Sequence, residues 1–113
     1  MTKYVGAIHE LFMRIAKKLA EGLGVKSENI GFENLICQFK MNKYHFTPQS
    51  VGSSGVTTHT DSGFIYIVQD DEDVCGLEVM NKSGHFVPVD PWPGTLIVNI
   101  GDMAKVRLQT TIF

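Results

Sequence analysis

The chain has little of what would mark a stapled, membrane-spanning or nucleic-acid-binding protein. Its two cysteines, Cys37 and Cys75, stand far apart with no CxxC or CxxxxC partner, which argues against a disulfide framework or a structural zinc site. Both are expected as free, buried thiols in a reducing compartment. No apolar run approaches the ~18 residues of a membrane span. Met1–Gly6 lacks the apolar core of a secretory leader, so the expected setting is a soluble, cytoplasmic one without membrane partners. The formal charge of −2 comes from interspersed acidic and basic residues. A nucleic-acid partner is not expected, because neutralising phosphates requires a basic surface. The one charge block, Asp70-Asp71-Glu72-Asp73, lacks the spaced ligands and glycine of a calcium loop and reads as a solvated turn.

What remains is an ordinary globular composition, with 43% hydrophobic and 19% charged residues in 113, enough for one small domain and little more. Val5, Ile8, Leu11, Phe12, Ile15, Leu19 and Leu23 recur at steps of three or four, which predicts an amphipathic helix over about 5–23. Glu10 and Arg14 are spaced as a helical ion pair. Gly22 and Gly24 can supply the left-handed residue that ends such a helix. His9 falls on this helix, where a structural role is expected.

Beyond Gly24 the period changes. Leu35, Cys37 and Phe39 alternate with Ile36, Gln38 and Lys40, as in a strand. A loop of turn formers, Thr47 to Gly55, follows. Apolar runs then recur at Phe64 to Val68, Leu77 to Met80, Phe86 to Val89 and Leu96 to Ile100, separated by Asp70 to Asp73, Asn81 to Gly84 and Pro91 to Gly94. Short strands at that spacing predict a mainly β, antiparallel sandwich or barrel behind a single helix.

The chemistry sits in Thr57-Thr58-His59-Thr60-Asp61-Ser62-Gly63. On a strand, residues two apart point to the same side, so His59 and Asp61 would offer an imidazole nitrogen and a carboxylate oxygen to one point. With a second histidine, such a pair makes the facial triad of non-haem Fe(II), which leaves coordination positions open. The spacing alone does not separate a metal pair from a solvated or buried His–Asp pair.

The surroundings add more. His59 to Phe64 runs into Ile65-Tyr66-Ile67-Val68-Gln69-Asp70-Asp71; then come Gly76-Leu77-Glu78-Val79, Gly84-His85-Phe86-Val87-Pro88-Val89 and Pro93-Gly94-Thr95-Leu96-Ile97-Val98-Asn99-Ile100-Gly101-Asp102. This ordered series, over roughly residues 30–106, closely resembles the plant soluble 2-oxoglutarate/Fe(II)-dependent dioxygenases. Met41 to Phe46 with Gln49 to Gly52 looks most like the auxin-oxidising (DAO-type) and AOP-like branch. The resemblance implies a double-stranded β-helix, or jelly roll, of which 1–113 would be one partial domain: helix about 5–23, β core about 33–106 and an atypical tail 107–113. It implies that His59 and Asp61 ligate Fe(II) and that Asn42 and Tyr44 contact 2-oxoglutarate. A tyrosine hydroxyl donating to a carboxylate makes a charge-assisted hydrogen bond; taken without the resemblance, Tyr44 reads as a core aromatic. The implied reaction, supported by ascorbate in the family, turns 2-oxoglutarate into succinate and carbon dioxide while a small organic molecule is hydroxylated or desaturated.

The chain also departs from that pattern. After Gly101 to Val106 the family continues to a distal histidine and an Arg-x-Ser pair, the arginine clamping the far carboxylate of 2-oxoglutarate. Here Arg107-Leu108-Gln109-Thr110-Thr111-Ile112-Phe113 stands instead. His45 adjoins Tyr44 and would face the opposite way on a strand, His85 falls in a predicted hairpin turn, and Arg107 precedes the family's position. Tyr66 stands where Thr is usual, and Phe86 where Trp is common. These departures lead to the expectation of impaired activity in this chain. The alternative is a non-catalytic remnant or interaction module, with exposed sheet edges inviting self-association. A cupin-like binding protein of jelly-roll class would need further ligands near His59 that the sequence does not offer.

Overall fold

The computed structural model describes residues 1–26, 31–71, 74 and 76–112. Cys75, the Glu72-Asp73 part of the acidic run and Phe113 at the end of the tail lie outside them. Two units divide the chain, Met1–Thr60 and Asp61–Phe113.

The first unit opens with helix α1, Thr2–Gly22. The predicted stripe is its half-buried face, at Val5, Ile8, Leu11, Phe12, Ile15 and Leu19, but Leu23 is exposed. The most buried positions are Ala16 and Ala20, four apart and so on one side of the helix. The smallest apolar side chains therefore sit where the helix is most enclosed. The pair that closes on the outer face is Lys18–Glu21, 2.9 Å apart, and not the expected Glu10–Arg14. Its hydrogen bond and then its charge hold the Glu21 carboxyl below the ordinary carboxylate value. Of the two candidate stop residues, Gly24 does the work: at φ 69° its amide donates to Glu21 O (3.1 Å), and the Val25 amide donates to Ala20 O (2.9 Å). Those are the two bonds of a Schellman ending, and they turn Val25 inward to join Phe32 as a buried residue.

The predicted strand at 35–40 forms no ladder among the described residues. The residues from Ile36 to Gln49 are exposed throughout, Ile36 at 91%. Alternation of apolar residues marks which side of a strand can be buried, but a strand exists only when its amides and carbonyls find a neighbour. Cys37 is accordingly free and exposed, which corrects the expectation of a buried thiol.

The second unit holds four short antiparallel strands: β1 (Ile65–Val68), β2 (Glu78–Met80), β3 (Phe86–Pro88) and β4 (Ile97–Ile100). They lie within the four apolar runs read from the sequence. β1 pairs with β4, with Ile65 opposite Ile100 and Val68 opposite Ile97, and β2 pairs with β3. An outer pair thus encloses an inner hairpin along the chain. The hairpin turns at Asn81, whose Oδ1 accepts the amides of Ser83 (2.9 Å) and His85 (3.0 Å), and Gly84 takes φ 80°. Trp92-Pro93-Gly94-Thr95 closes with Thr95 N donating to Trp92 O at 3.1 Å. Proline then glycine at positive φ is the signature of a type II turn.

Where the β core was expected to run on to 106, helix α2 begins at Asp102 and continues to Ile112. The local chemistry explains the change. Gly101 O accepts the Lys105 amide (3.2 Å), Asp102 places a negative charge in the first turn, and Met103-Ala104-Lys105 are strong helix formers. Ala104 is buried, as is Phe64 just before β1.

The start of α2 is tied to the segment before β1. Gly101 N donates to Phe64 O (2.9 Å), Asp102 N to Asp61 O (2.7 Å) and Met103 N to Gly63 O (3.2 Å). Helix N-termini leave amides without intrahelical partners, and here carbonyls of residues 61–64 accept them. The approach is close enough that a Cβ on Gly101 would collide with Gly63 O and lie 2.7 Å from Gly63 C and 2.9 Å from Asp61 O. At Gly63, an added Cβ meets the movable ring of Tyr66 at 3.0 Å. G101A is therefore expected to destabilise by about 2–3 kcal/mol, at the upper end for overpacking, and more than G63A. Urea unfolding of the two variants checks the order, and an equal or reversed ranking counts against the close approach.

Candidate functional site

The four residues singled out from sequence fall on both sides of the division: Asn42, Tyr44 and His59 in the first unit, Asp61 at the opening of the second. None lies on a strand of a ladder.

Tyr44 is 61% exposed and so is not a core aromatic, and Asn42 is exposed beside it in the chain. What directs Tyr44 is the loop that follows. Ser50 N donates to Thr47 O (3.0 Å) and Ser53 N to Ser50 O (3.0 Å), while Thr47 N donates to Ser50 Oγ (2.8 Å) and Ser53 Oγ to Ser50 O (2.6 Å). Two successive turns held by hydroxyls bring the chain back so that Gly55 lies against the Tyr44 ring. A Cβ there would sit 3.3 Å from Tyr44 Cδ1. The turn formers of 47–55 predict a loop; the sequence sign of the closer contact is a glycine where backbone meets an aromatic face.

His59 is exposed, and its Nδ1 lies 2.8 Å from the carbonyl oxygen of Thr57. A carbonyl can only accept, so the bond requires the proton on Nδ1 and leaves the lone pair of the neutral ring on Nε2. That is how metal-ligating histidines are commonly oriented, the second nitrogen donating to a carbonyl or carboxylate. Asp61 is half-buried, with its main chain tied to Asp102. Imidazole nitrogen and carboxylate oxygen are both donor types of a non-haem iron site, His59 standing in the first unit and Asp61 in the second. Among the described residues, no group of three or more His, Cys, Asp or Glu could hold a metal ion.

The other histidines lie elsewhere. His9 stacks on Phe12 at 6.4 Å along α1, His45 is exposed, and His85 is exposed at the end of the β2–β3 turn, as its sequence context predicts. Tyr66 folds back along its own chain, its Oη accepting the Gly63 amide at 2.9 Å. No helix among the described residues is long and apolar enough to cross a membrane.

The family profile of the 2OG-Fe(II) oxygenase superfamily matches residues 35–110, and the chain belongs to that superfamily. It is 48% identical to the 2-oxoglutarate-dependent dioxygenase DAO of Oryza sativa subsp. indica over 103 residues, 90% of this chain and 34% of that protein. A solved structure of dioxygenase for auxin oxidation 1 of Arabidopsis thaliana, in binary complex with 2-oxoglutarate, superposes with a TM-score of 0.86 at 52% identity, covering 92% of this chain and 39% of that one. The crystal structure of the rice dioxygenase for auxin oxidation gives a TM-score of 0.83 at 47% identity, over 91% of this chain and 35% of its own. The chain thus spans about a third of the length of the curated rice relative. These matches bear out the resemblance to 2-oxoglutarate-dependent dioxygenases of the auxin-oxidising branch.

The backbone bond at His59 makes a prediction independent of any metal. Neutral His59 should be found with its proton on Nδ1, read from long-range ¹H–¹⁵N NMR correlations of the imidazole. A ring protonated on Nε2 would remove the argument for a directed lone pair.

Proposed function

We propose that this chain is the iron- and 2-oxoglutarate-handling portion of an oxygenase that oxidises a small organic molecule of the auxin kind. The observation that carries the reading is the superfamily match over residues 35–110, which contains both His59-Thr60-Asp61 and Asn42-Lys43-Tyr44. In this proposal His59, through Nε2, and the Asp61 carboxylate hold Fe(II). Asn42 and Tyr44 hold 2-oxoglutarate, the tyrosine hydroxyl donating to a carboxylate oxygen and the asparagine amide offering further donors. Bound there, iron would supply activation of dioxygen coupled to decarboxylation of 2-oxoglutarate. Ascorbate would support the reaction by keeping the metal reduced.

The pairing of β1 with β4 around β2 with β3 supports reading the strands as part of a double-stranded β-helix, since winding a long hairpin on itself nests its strand pairs in this way. Residues 1–113 then form one partial oxygenase domain. In each two-stranded ladder among the described residues, a strand keeps an edge at which copies of the chain would pair.

A second reading is favoured by one observation: no described group of three or more ligating side chains. On that reading these residues alone form a non-catalytic module. His59 and Asp61 are two donors where the facial triad has three.

The two readings diverge in measurable ways. The 113-residue polypeptide, given Fe(II), 2-oxoglutarate and ascorbate, is expected to yield no succinate above a protein-free control. Tight, stoichiometric binding of Fe(II) and 2-oxoglutarate in calorimetry would overturn that expectation. Transcript sequence continuing in frame beyond Phe113 should encode a histidine and an Arg-x-Ser. In a protein of the relatives' length, D61A is expected to reduce iron-dependent decarboxylation by more than the roughly 10–100-fold that loss of a ligand's hydrogen-bond partner costs. Unchanged turnover in D61A would discard the assignment of Asp61.

A further inference from the structure

The backbone around Asp61 is held from two directions, and one of them is a side chain. Asp61 O accepts the Asp102 amide at 2.7 Å. Two residues on, Gly63 N donates to Tyr66 Oη at 2.9 Å, and Gly63 O accepts the Met103 amide at 3.2 Å. The ring that carries this hydroxyl lies directly over Gly63: a Cβ at that position would be 3.0 Å from Tyr66 Cε2 and 3.0 Å from Oη. Glycine at 63 and tyrosine at 66 are therefore one device, in which the absence of a side chain on the first lets the second reach back across its own strand.

We infer that Tyr66 is a positioning residue for the Asp61 carboxylate. The inference rests on the reading of Asp61 as an iron ligand. The carbonyl of the 61–62 peptide is held by Asp102, and the amide of the 62–63 peptide by the Tyr66 phenol. The two peptide planes that flank Ser62 are thereby fixed, and with them the course of the main chain as it leaves Asp61. Tyr66 is half-buried, and it begins no chemistry of its own in this arrangement. Its hydroxyl acts on the main chain of the segment that begins at Asp61, whereas the Thr57 carbonyl bonds the His59 ring itself; both act from outside the metal's own coordination sphere.

The test uses Co(II) alone as probe on the 113-residue chain, with its dissociation constant read from paramagnetic changes in the Asp61 and Gly63 amide resonances. Tyr66→Phe keeps the ring and removes the acceptor. It is expected to weaken Co(II) binding roughly 10-fold and to speed hydrogen exchange at the Gly63 amide by about 10-fold or more, with the far-UV circular dichroism retained. Asp61→Asn should abolish the same paramagnetic changes. If Asp61→Asn leaves them intact, the reading of Asp61 as a ligand fails. If Asp61→Asn abolishes them while folded Tyr66→Phe binds Co(II) as the parent does, that reading stands and the positioning role of Tyr66 fails. In the parent chain, the Gly63 amide should exchange more slowly than an unstructured amide. Exchange at the unprotected rate overturns the inference without any variant.

Discussion

Three main-chain amides at the start of α2 donate to the carbonyls of Asp61, Gly63 and Phe64. The local architecture of the second unit is arranged around that contact. It continues the β1–β4 ladder past its last pair, Ile65 with Ile100, so sheet pairing passes into helix capping without a break. Each such bond contributes only about 1 kcal/mol net. Left unmade, however, each amide would be one of the donors that a helix start cannot satisfy internally. The contact also sets its own side-chain requirement: nothing larger than hydrogen fits on Gly101, because backbone atoms of residues 61 and 63 occupy the space.

How much of this was legible in the sequence depends on the range of the force involved. The stripe of α1 and the four apolar runs of the strands were readable because burial imposes a period on the residues themselves. The turns at Asn81–Gly84 and Trp92–Thr95 were readable because a positive φ calls for glycine, and both have it. The strand expected at Leu35 to Lys40 was not realised as a ladder among the described residues, since alternation says nothing about whether a neighbour is there to pair. The buried thiol expected at Cys37 failed for the same reason. Helix α2 had its signals in place, a Gly-Asp start and a run of strong formers, but the resemblance had already absorbed Gly101 to Val106 into the β core.

The site shows the same limit at finer scale. His59 and Asp61 were picked out by residue type and spacing and Asn42 and Tyr44 only through the family resemblance, and the family match contains all four. What sequence reading missed were the groups that aim them: the Thr57 carbonyl, the Tyr66 hydroxyl and the glycines at 55 and 63. A main-chain carbonyl has no letter of its own, and a glycine announces only that something comes close, not what. In the sequence Tyr66 stands out only as a residue where Thr is usual, because a large residue in a strand is judged by the side it faces. Its reach back along its own chain depends on the missing side chain at Gly63, a coupling between two positions that neither reveals alone.

That coupling bears on what a partial site can retain. Iron affinity depends first on the number of donors, and two donors cannot match three. The direction of each donor is a separate property, fixed by the ties behind it, and those ties are local: Thr57 lies two residues from His59, and Tyr66 and Asp102 hold the segment that begins at Asp61. Contacts of this kind lie wholly within a segment that spans about a third of the length of the curated rice relative. Orientation is set by short-range backbone contacts, whereas affinity sums over all the donors.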